Sequence, residues 1–125
     1  MYVFENPNGA ANRTGDCTIR ALCILTGQSW RAVFWQLVPL ADEMYMMPND
    51  KPVFKAFLLR HGFRAESLPD TCPDCYTVRD FCKDHPKGKY LLTNGSHAVA
   101  VIDGSYYDSF DSGDEVVVYA WHREE

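Results

Sequence analysis

The 125-residue sequence predicts an α+β fold, with N-terminal helices packed on a C-terminal antiparallel β-sheet. Three observations carry that expectation. Residues 17 to 84 repeatedly show apolar residues at helical spacing. Residues 89 to 121 instead show short runs rich in Val, Tyr and Leu, separated by turn signals. The length suits one domain spanning 1–125, and an apolar content of 46% with 14% aromatic residues is ample for a core.

The elements follow in order. Tyr2-Val3-Phe4 reads as a short strand in an otherwise loop-like segment up to residue 16. The first helix starts near Cys17, with Thr14 or Asp16 as its cap. Ile19, Leu22 and Cys23 form its apolar face, and Gly27 follows its end. Ser29 caps a second helix carrying Trp30, Val33, Phe34, Leu37 and Leu40, which Pro39 should end or kink. Trp30 and Trp35 read as core residues. Met44-Tyr45-Met46-Met47 reads as core in preference to an adaptable groove rim.

Val53 to His61 is a third helix stopped by Gly62, with a short strand after it near Phe63-Arg64-Ala65. Leu68 to Pro73 is loop, and Thr77 caps a fourth helix over Val78 to Asp84. Lys89 to Thr93 is a strand, and His97 opens the next. Ser112-Gly113-Asp114 is a turn, Val116 to Trp121 the last strand, and His122-Arg123 an exposed tail.

Charge and composition exclude several classes. The net charge is −5 with a pI near 5.3, and no basic stripe suits nucleic acid. No apolar run approaches the roughly 20 residues of a membrane span. The N-terminus lacks the pattern of a signal peptide, and five cysteines, an odd count, argue for free thiols. A cytoplasmic location is therefore expected. The sequence carries no signal for an oligomeric state.

Two stretches carry the chemistry. In Gly15-Asp16-Cys17-Thr18-Ile19-Arg20 the thiol falls in the first helical turn. Unpaired N–H groups and the positive end of the dipole there favour thiolate. The structural alternative is a small buried residue at a helix start. The second stretch is Gly95 to Phe110. Asp103-Gly104 signals a two-residue type I′ hairpin. Pairing Ile102 with Ser105 puts Val101 opposite Tyr106, Ala100 opposite Tyr107 and Val99 opposite Asp108. His97 and Asp108 then become diagonal neighbours on one face, about 7–8 Å apart at Cα. A carboxylate beside an imidazole fixes its tautomer and supports the imidazolium. The chain thus presents a nucleophile, a base and an orienting acid in the order Cys17, His97, Asp108.

That order, with Cys17 opening the first helix and His97 opening a strand, resembles the papain-like cysteine peptidases. Asp108-Ser109-Phe110 is similar to the Asn-Ser-Trp segment of papain-type enzymes, with Asp and Phe substituted. Gly15-Asp16-Cys17 with Arg20-Ala21-Leu22 resembles the nucleophile segment of ovarian-tumour-type deubiquitinases. It is more similar still to short papain-like proteins common in phage genomes. The resemblance implies a papain-like fold and cysteine-dependent hydrolysis of peptide or isopeptide bonds. It implies a peptide or protein substrate, no cofactor and, for a phage protein, residence in the host cytoplasm. Papain-type enzymes place an oxyanion-hole Gln six residues before the Cys, where this chain has Ala11. Asn12 is the substitute the resemblance implies, with Asn8 or Asn6 behind it.

Other readings use the same residues. A catalytically idle binding module would keep the fold, and an acyl transferase would keep the triad. Cys72, Cys75, Cys82 and His85 read C-x2-C-x6-C-x2-H, a set that could hold tetrahedral zinc in an interaction domain. The gap of six is short for common zinc modules. A redox role for Cys72-Pro73-Asp74-Cys75 lacks the expected helix on a βαβ unit. Cys23 reads as core.

Overall fold

The protein was analysed as a computed structural model that describes residues 1–10 and 14–123. It is α+β, with four helices and one six-stranded mixed sheet among the described residues. The elements are β1 (Tyr2–Phe4), α1 (Cys17–Thr26), α2 (Trp30–Met44), α3 (Lys51–Arg60), β2 (Phe63–Ser67), α4 (Val78–Asp84), β3 (Lys89–Thr93), β4 (Ala98–Ile102), β5 (Ser105–Asp108) and β6 (Tyr119–Arg123). The strand order is β1-β5-β4-β3-β6-β2.

The sheet departs from the expected all-antiparallel arrangement at one edge. β1 runs parallel to β5, pairing Tyr2 with Tyr106 and Phe4 with Asp108. Nor do the helices all lie on one face. Ala98, Ala100, Leu91 and Trp121 pack with α1, α2 and α3 in one apolar cluster. Val99, Val101, Leu92, Ala120 and Tyr106 pack with Val78, Phe81 and Cys82 of α4 in another. Both faces of the central strands are covered, which explains why Ala98-Val99-Ala100-Val101 is an unbroken apolar run. The buried part of the α1 face of β4 carries Ala98 and Ala100, so the helix can approach the strand closely.

Helix boundaries follow local chemistry. Gly27 closes α1 in the left-handed region at φ 71°, donating to the Cys23 carbonyl. The Ser29 hydroxyl accepts from the Ala32 N–H, capping α2. Thr77 and Asp80 form a reciprocal capping box on α4. Pro39 does not end α2. The helix continues to Met44 because Leu37, Leu40 and Ala41, on both sides of the proline, are buried. Their burial offsets the one missing hydrogen bond.

Three further expectations are corrected. Tyr45, Met46 and Met47 are exposed, Tyr45 almost fully at 97%, and Trp35 is also exposed. α2 ends at Met44, which packs partly buried against the core, and its next residue turns left-handed, so Tyr45 to Met47 stay outside it. The last strand is Tyr119–Arg123, which takes His122 and Arg123 into the sheet. Val116 to Val118 spend their backbone bonds elsewhere: Val116 bridges Thr77, Val117 donates to Tyr76 and Val118 to Thr93. Cys72 and Cys75 are joined as a disulfide, so three cysteines are free rather than five.

The hairpin register is Ile102 to Ser105, Val101 to Tyr106 and Ala100 to Tyr107. Asp103 and Gly104 both take positive φ, 49° and 77°. A Cβ at Gly104 would sit 3.3 Å from the Cys82 carbonyl oxygen. Gly104→Ala is therefore expected to destabilise the fold by about 1–2 kcal/mol, the cost of a left-handed non-glycine residue. A urea titration should show a lower midpoint at unchanged slope.

Candidate active site

α1 and the β4–β5 hairpin bring three predicted residues together. Cys17 opens α1, His97 immediately precedes β4 and Asp108 ends β5. Beyond the last hairpin pair, Ala100 with Tyr107, His97 Nε2 meets Asp108 Oδ2 at 2.6 Å. The His97 and Asp108 side chains retain only 10% and 5% of their exposure. Cys17 is half-buried and hydrogen-bonds the His97 side chain. Nε2 is taken by Asp108, so Nδ1 is the nitrogen left for the thiol.

Asp108 has three donors. His97 and the Ser112 hydroxyl, at 2.7 Å, both reach Oδ2, while the Ser109 N–H reaches Oδ1 at 2.7 Å. The bonds keep the carboxylate matched despite its burial. The His97 backbone is fixed separately. The Asn94 side-chain carbonyl accepts the N–H groups of Ser96 and His97, and the Asn94 amide donates to the Val116 carbonyl at 2.9 Å. The half-exposed Phe110 ring lies 5.0 Å from the His97 ring.

The surroundings move both the thiol and the imidazole toward their charged forms. Burial pushes the Cys17 thiol up. The His97 hydrogen bond, a backbone hydrogen bond from Ala98, and the charges of His97 and Arg20 outweigh it, and the net shift is downward. For His97 burial disfavours the cation, yet hydrogen bonds to Asp108 and Cys17 and their charges raise it to about 9. Cys23 and Cys82 go the other way. Burial raises both, with the Asp16 charge carrying Cys23 to about 11.

Asp16 occupies the cap position of α1 but does not cap it. Its buried carboxylate instead accepts the Trp30 indole N–H and the Asn8 amide, each at 2.7 Å, and pairs with Arg20. Three side chains thereby converge on the residue before Cys17, and Trp30 holds α2 against the start of α1. The first-turn N–H groups are left without that side chain as an acceptor.

The remaining predicted residues are placed as follows. Asn12 lies outside the described residues. Asn8 is committed to Asp16, and Asn6 accepts the Asn8 N–H at 3.1 Å. The zinc set is not assembled. Cys72 and Cys75 are bonded to each other, Cys82 is buried against α4's apolar neighbours, and His85 stacks on Phe81 at 3.8 Å. Among the described residues no cluster of three His, Cys, Asp or Glu side chains could hold a metal. Among them, too, no helix is long and apolar enough to cross a membrane.

Sequence reasoning missed Ser112 and Asn94 as site residues: it read Ser112 only as part of a turn and assigned nothing to Asn94. The Ser112-Gly113 pair signals a turn, and nothing in its spacing shows that it folds back onto Asp108.

No family model, no curated protein and no solved structure matches the chain.

Removing the shared acceptor with Asp16→Ala is expected to cost roughly 3–5 kcal/mol, as for one partner of a buried ion pair. Asp16→Asn, which keeps shape and one acceptor, should cost less. Urea unfolding checks both, and a loss in Asp16→Ala below about 1 kcal/mol would show that the cluster does not hold α1 to α2.

Proposed function

We propose that the protein is a papain-like cysteine hydrolase of peptide or isopeptide bonds. The observation that carries this reading is the buried Cys17–His97–Asp108 chain, in which the thiol is shifted down and the imidazole up despite burial. A structural cysteine would need none of this, as Cys23, deeper in the same helix, illustrates.

The roles follow from acyl transfer. The Cys17 thiolate attacks the carbonyl carbon, forming a C–S bond and pushing an electron pair onto oxygen. The oxyanion forms beside the first turn of α1, where the Cys17 N–H belongs to the donors that a helix cannot pair internally. His97, as imidazolium, gives its proton to the leaving amine as the C–N bond breaks. A water then loses a proton to His97 and attacks the thioester, releasing the acid and restoring the thiolate–imidazolium pair. Asp108 stays ionised and holds Nε2–H, which keeps Nδ1 directed at the sulfur.

The substrate is a peptide or protein segment, and the chemistry needs no cofactor. The resemblance of Asp108-Ser109-Phe110 to the Asn-Ser-Trp segment supports the same assignment. So does the ring contact of Phe110 with His97.

Limiting iodoacetamide at pH 6 tests the reading first. An ordinary thiol with a pKa near 8.5 is almost wholly protonated there. Cys17 should be labelled ahead of Cys23 and Cys82, and His97→Ala should remove that preference. With a peptide–fluorophore library, Cys17→Ser should abolish turnover and His97→Ala should lower it by about 10²–10⁴-fold. The kcat/KM profile should be a bell. It rises as the depressed Cys17 thiol ionises and falls again as His97 loses its proton near pH 9. Labelling of Cys17 no faster than of Cys23 would overturn the assignment and leave a binding module.

A further inference from the structure

We propose that Ser112 is a positioning residue for His97, acting through Asp108: its hydroxyl locks the carboxylate rotamer that presents Oδ2 to the imidazole. The inference rests on the hydrolase reading for its catalytic meaning, but its geometry stands apart from it. Ser112 is 2% exposed, and its Oγ lies 2.7 Å from the same Asp108 oxygen that meets His97. An ionised carboxylate can only accept, so the hydroxyl must donate. A neutral donor steadies the anion without adding a charge that would compete with the imidazolium.

Without Ser112, Asp108 keeps only the Ser109 N–H on its other oxygen and His97 itself. One backbone donor on Oδ1 leaves the carboxylate free to swing Oδ2 away. The hydroxyl supplies the second fixed point that defines a rotamer.

The turn that carries Ser112 is built to keep it there. The Ser112 carbonyl accepts the Glu115 N–H at 3.0 Å, and the Gly113 carbonyl accepts the Arg79 N–H at 3.0 Å. The Arg79 side chain pairs with Asp114 and lies 3.6 Å from Asp111, which also accepts the Tyr106 hydroxyl. Gly113 is wedged between them. A Cβ there would sit 2.4 Å from the Tyr106 hydroxyl and 2.5 Å from the Arg79 guanidinium. A side chain at this position would have to displace the Tyr106 hydroxyl and the Arg79 guanidinium, the groups that hold the turn to β5 and α4. The clamp and the hydroxyl together make a support for His97 that reaches back to α4.

Two variants test this by different routes. Ser112→Ala removes the donor. Gly113→Ala keeps the hydroxyl but forces the turn outward. Histidine NMR reads the His97 titration and the Nε2–H resonance directly, with no substrate, while circular dichroism confirms the fold. In both variants the His97 midpoint is expected to fall from about 9 by about one pH unit or more, and the Nε2–H signal to broaden into exchange with water. Cys17 labelling by iodoacetamide at pH 6 should slow by about tenfold. Ser112→Thr should restore most of both readouts.

An unchanged or raised His97 midpoint in folded Ser112→Ala would overturn the proposal, showing that the hydroxyl only satisfies the carboxylate. The wild type separates this result from the fate of the hydrolase reading. Failure of wild-type Cys17 to label selectively counts against that reading alone, and the NMR titration still decides the role of Ser112.

Discussion

A buried carboxylate has to be matched by donors, and that requirement at Asp108 organises half of this molecule. Its side chain takes three hydrogen bonds, from His97, Ser109 and Ser112. Its backbone carbonyl takes the Glu5 N–H at 2.9 Å and the Tyr2 hydroxyl at 3.3 Å. One residue therefore ties the N-terminal strand, the hairpin and the loop before β6 to a single point. Each charge-assisted bond contributes roughly 1.5–3 kcal/mol, and leaving the anion unmatched would cost several. The parallel pairing of β1 with β5, with Phe4 opposite Asp108, brings Tyr2 and Glu5 to that backbone carbonyl.

The second organising constraint is the sheet's double coverage. Strands covered on both faces must be apolar on both, and β4 is. Small residues on the α1 side let the helix sit low on the strand, and the Ala98 backbone can then bond the Cys17 sulfur. The site forms at the end of the sheet, where β4 begins, β5 ends and α1 starts. Hydrophobic packing brings Cys17 and His97 together, and hydrogen bonds to Asp108 orient the imidazole.

The hairpin was legible because strand periodicity and an Asp-Gly turn leave a single register, and register alone decides that His97 and Asp108 share a face. The boundaries of α1, α4 and β3 were legible for a similar reason, since caps and glycines act over a few residues. Tertiary competition hid the rest. Pro39 stays helical because its neighbours are buried, and Met46 and Met47 are exposed because α2 has already ended. Val116 to Val118 look like a strand by composition, but their hydrogen bonds go to Tyr76, Thr77 and Thr93. Asp16 looked like a cap, yet Trp30 and Arg20 were stronger claims on its oxygens. Ser112 and Asn94 carry only turn chemistry in their own sequence neighbourhood. Their contacts with Asp108 and His97 exist only once α4 and the last loop have closed.

The two thiols of α1 show how much of the chemistry is position rather than residue type. Cys17 and Cys23 lie on one helix, both are desolvated, and burial raises both. The two members of the Asp16–Arg20 pair act on them with opposite sign. The Arg20 charge lowers Cys17, and the Asp16 charge raises Cys23. To this oriented pair His97 adds a hydrogen bond and a positive charge for Cys17, with nothing equivalent for Cys23. One thiol is held toward the reactive anion, and the other, near 11, stays a small apolar side chain. Arg20 thereby reinforces the downward shift that His97 gives Cys17, while Asp16, bonded to the Trp30 indole, joins the start of α1 to α2.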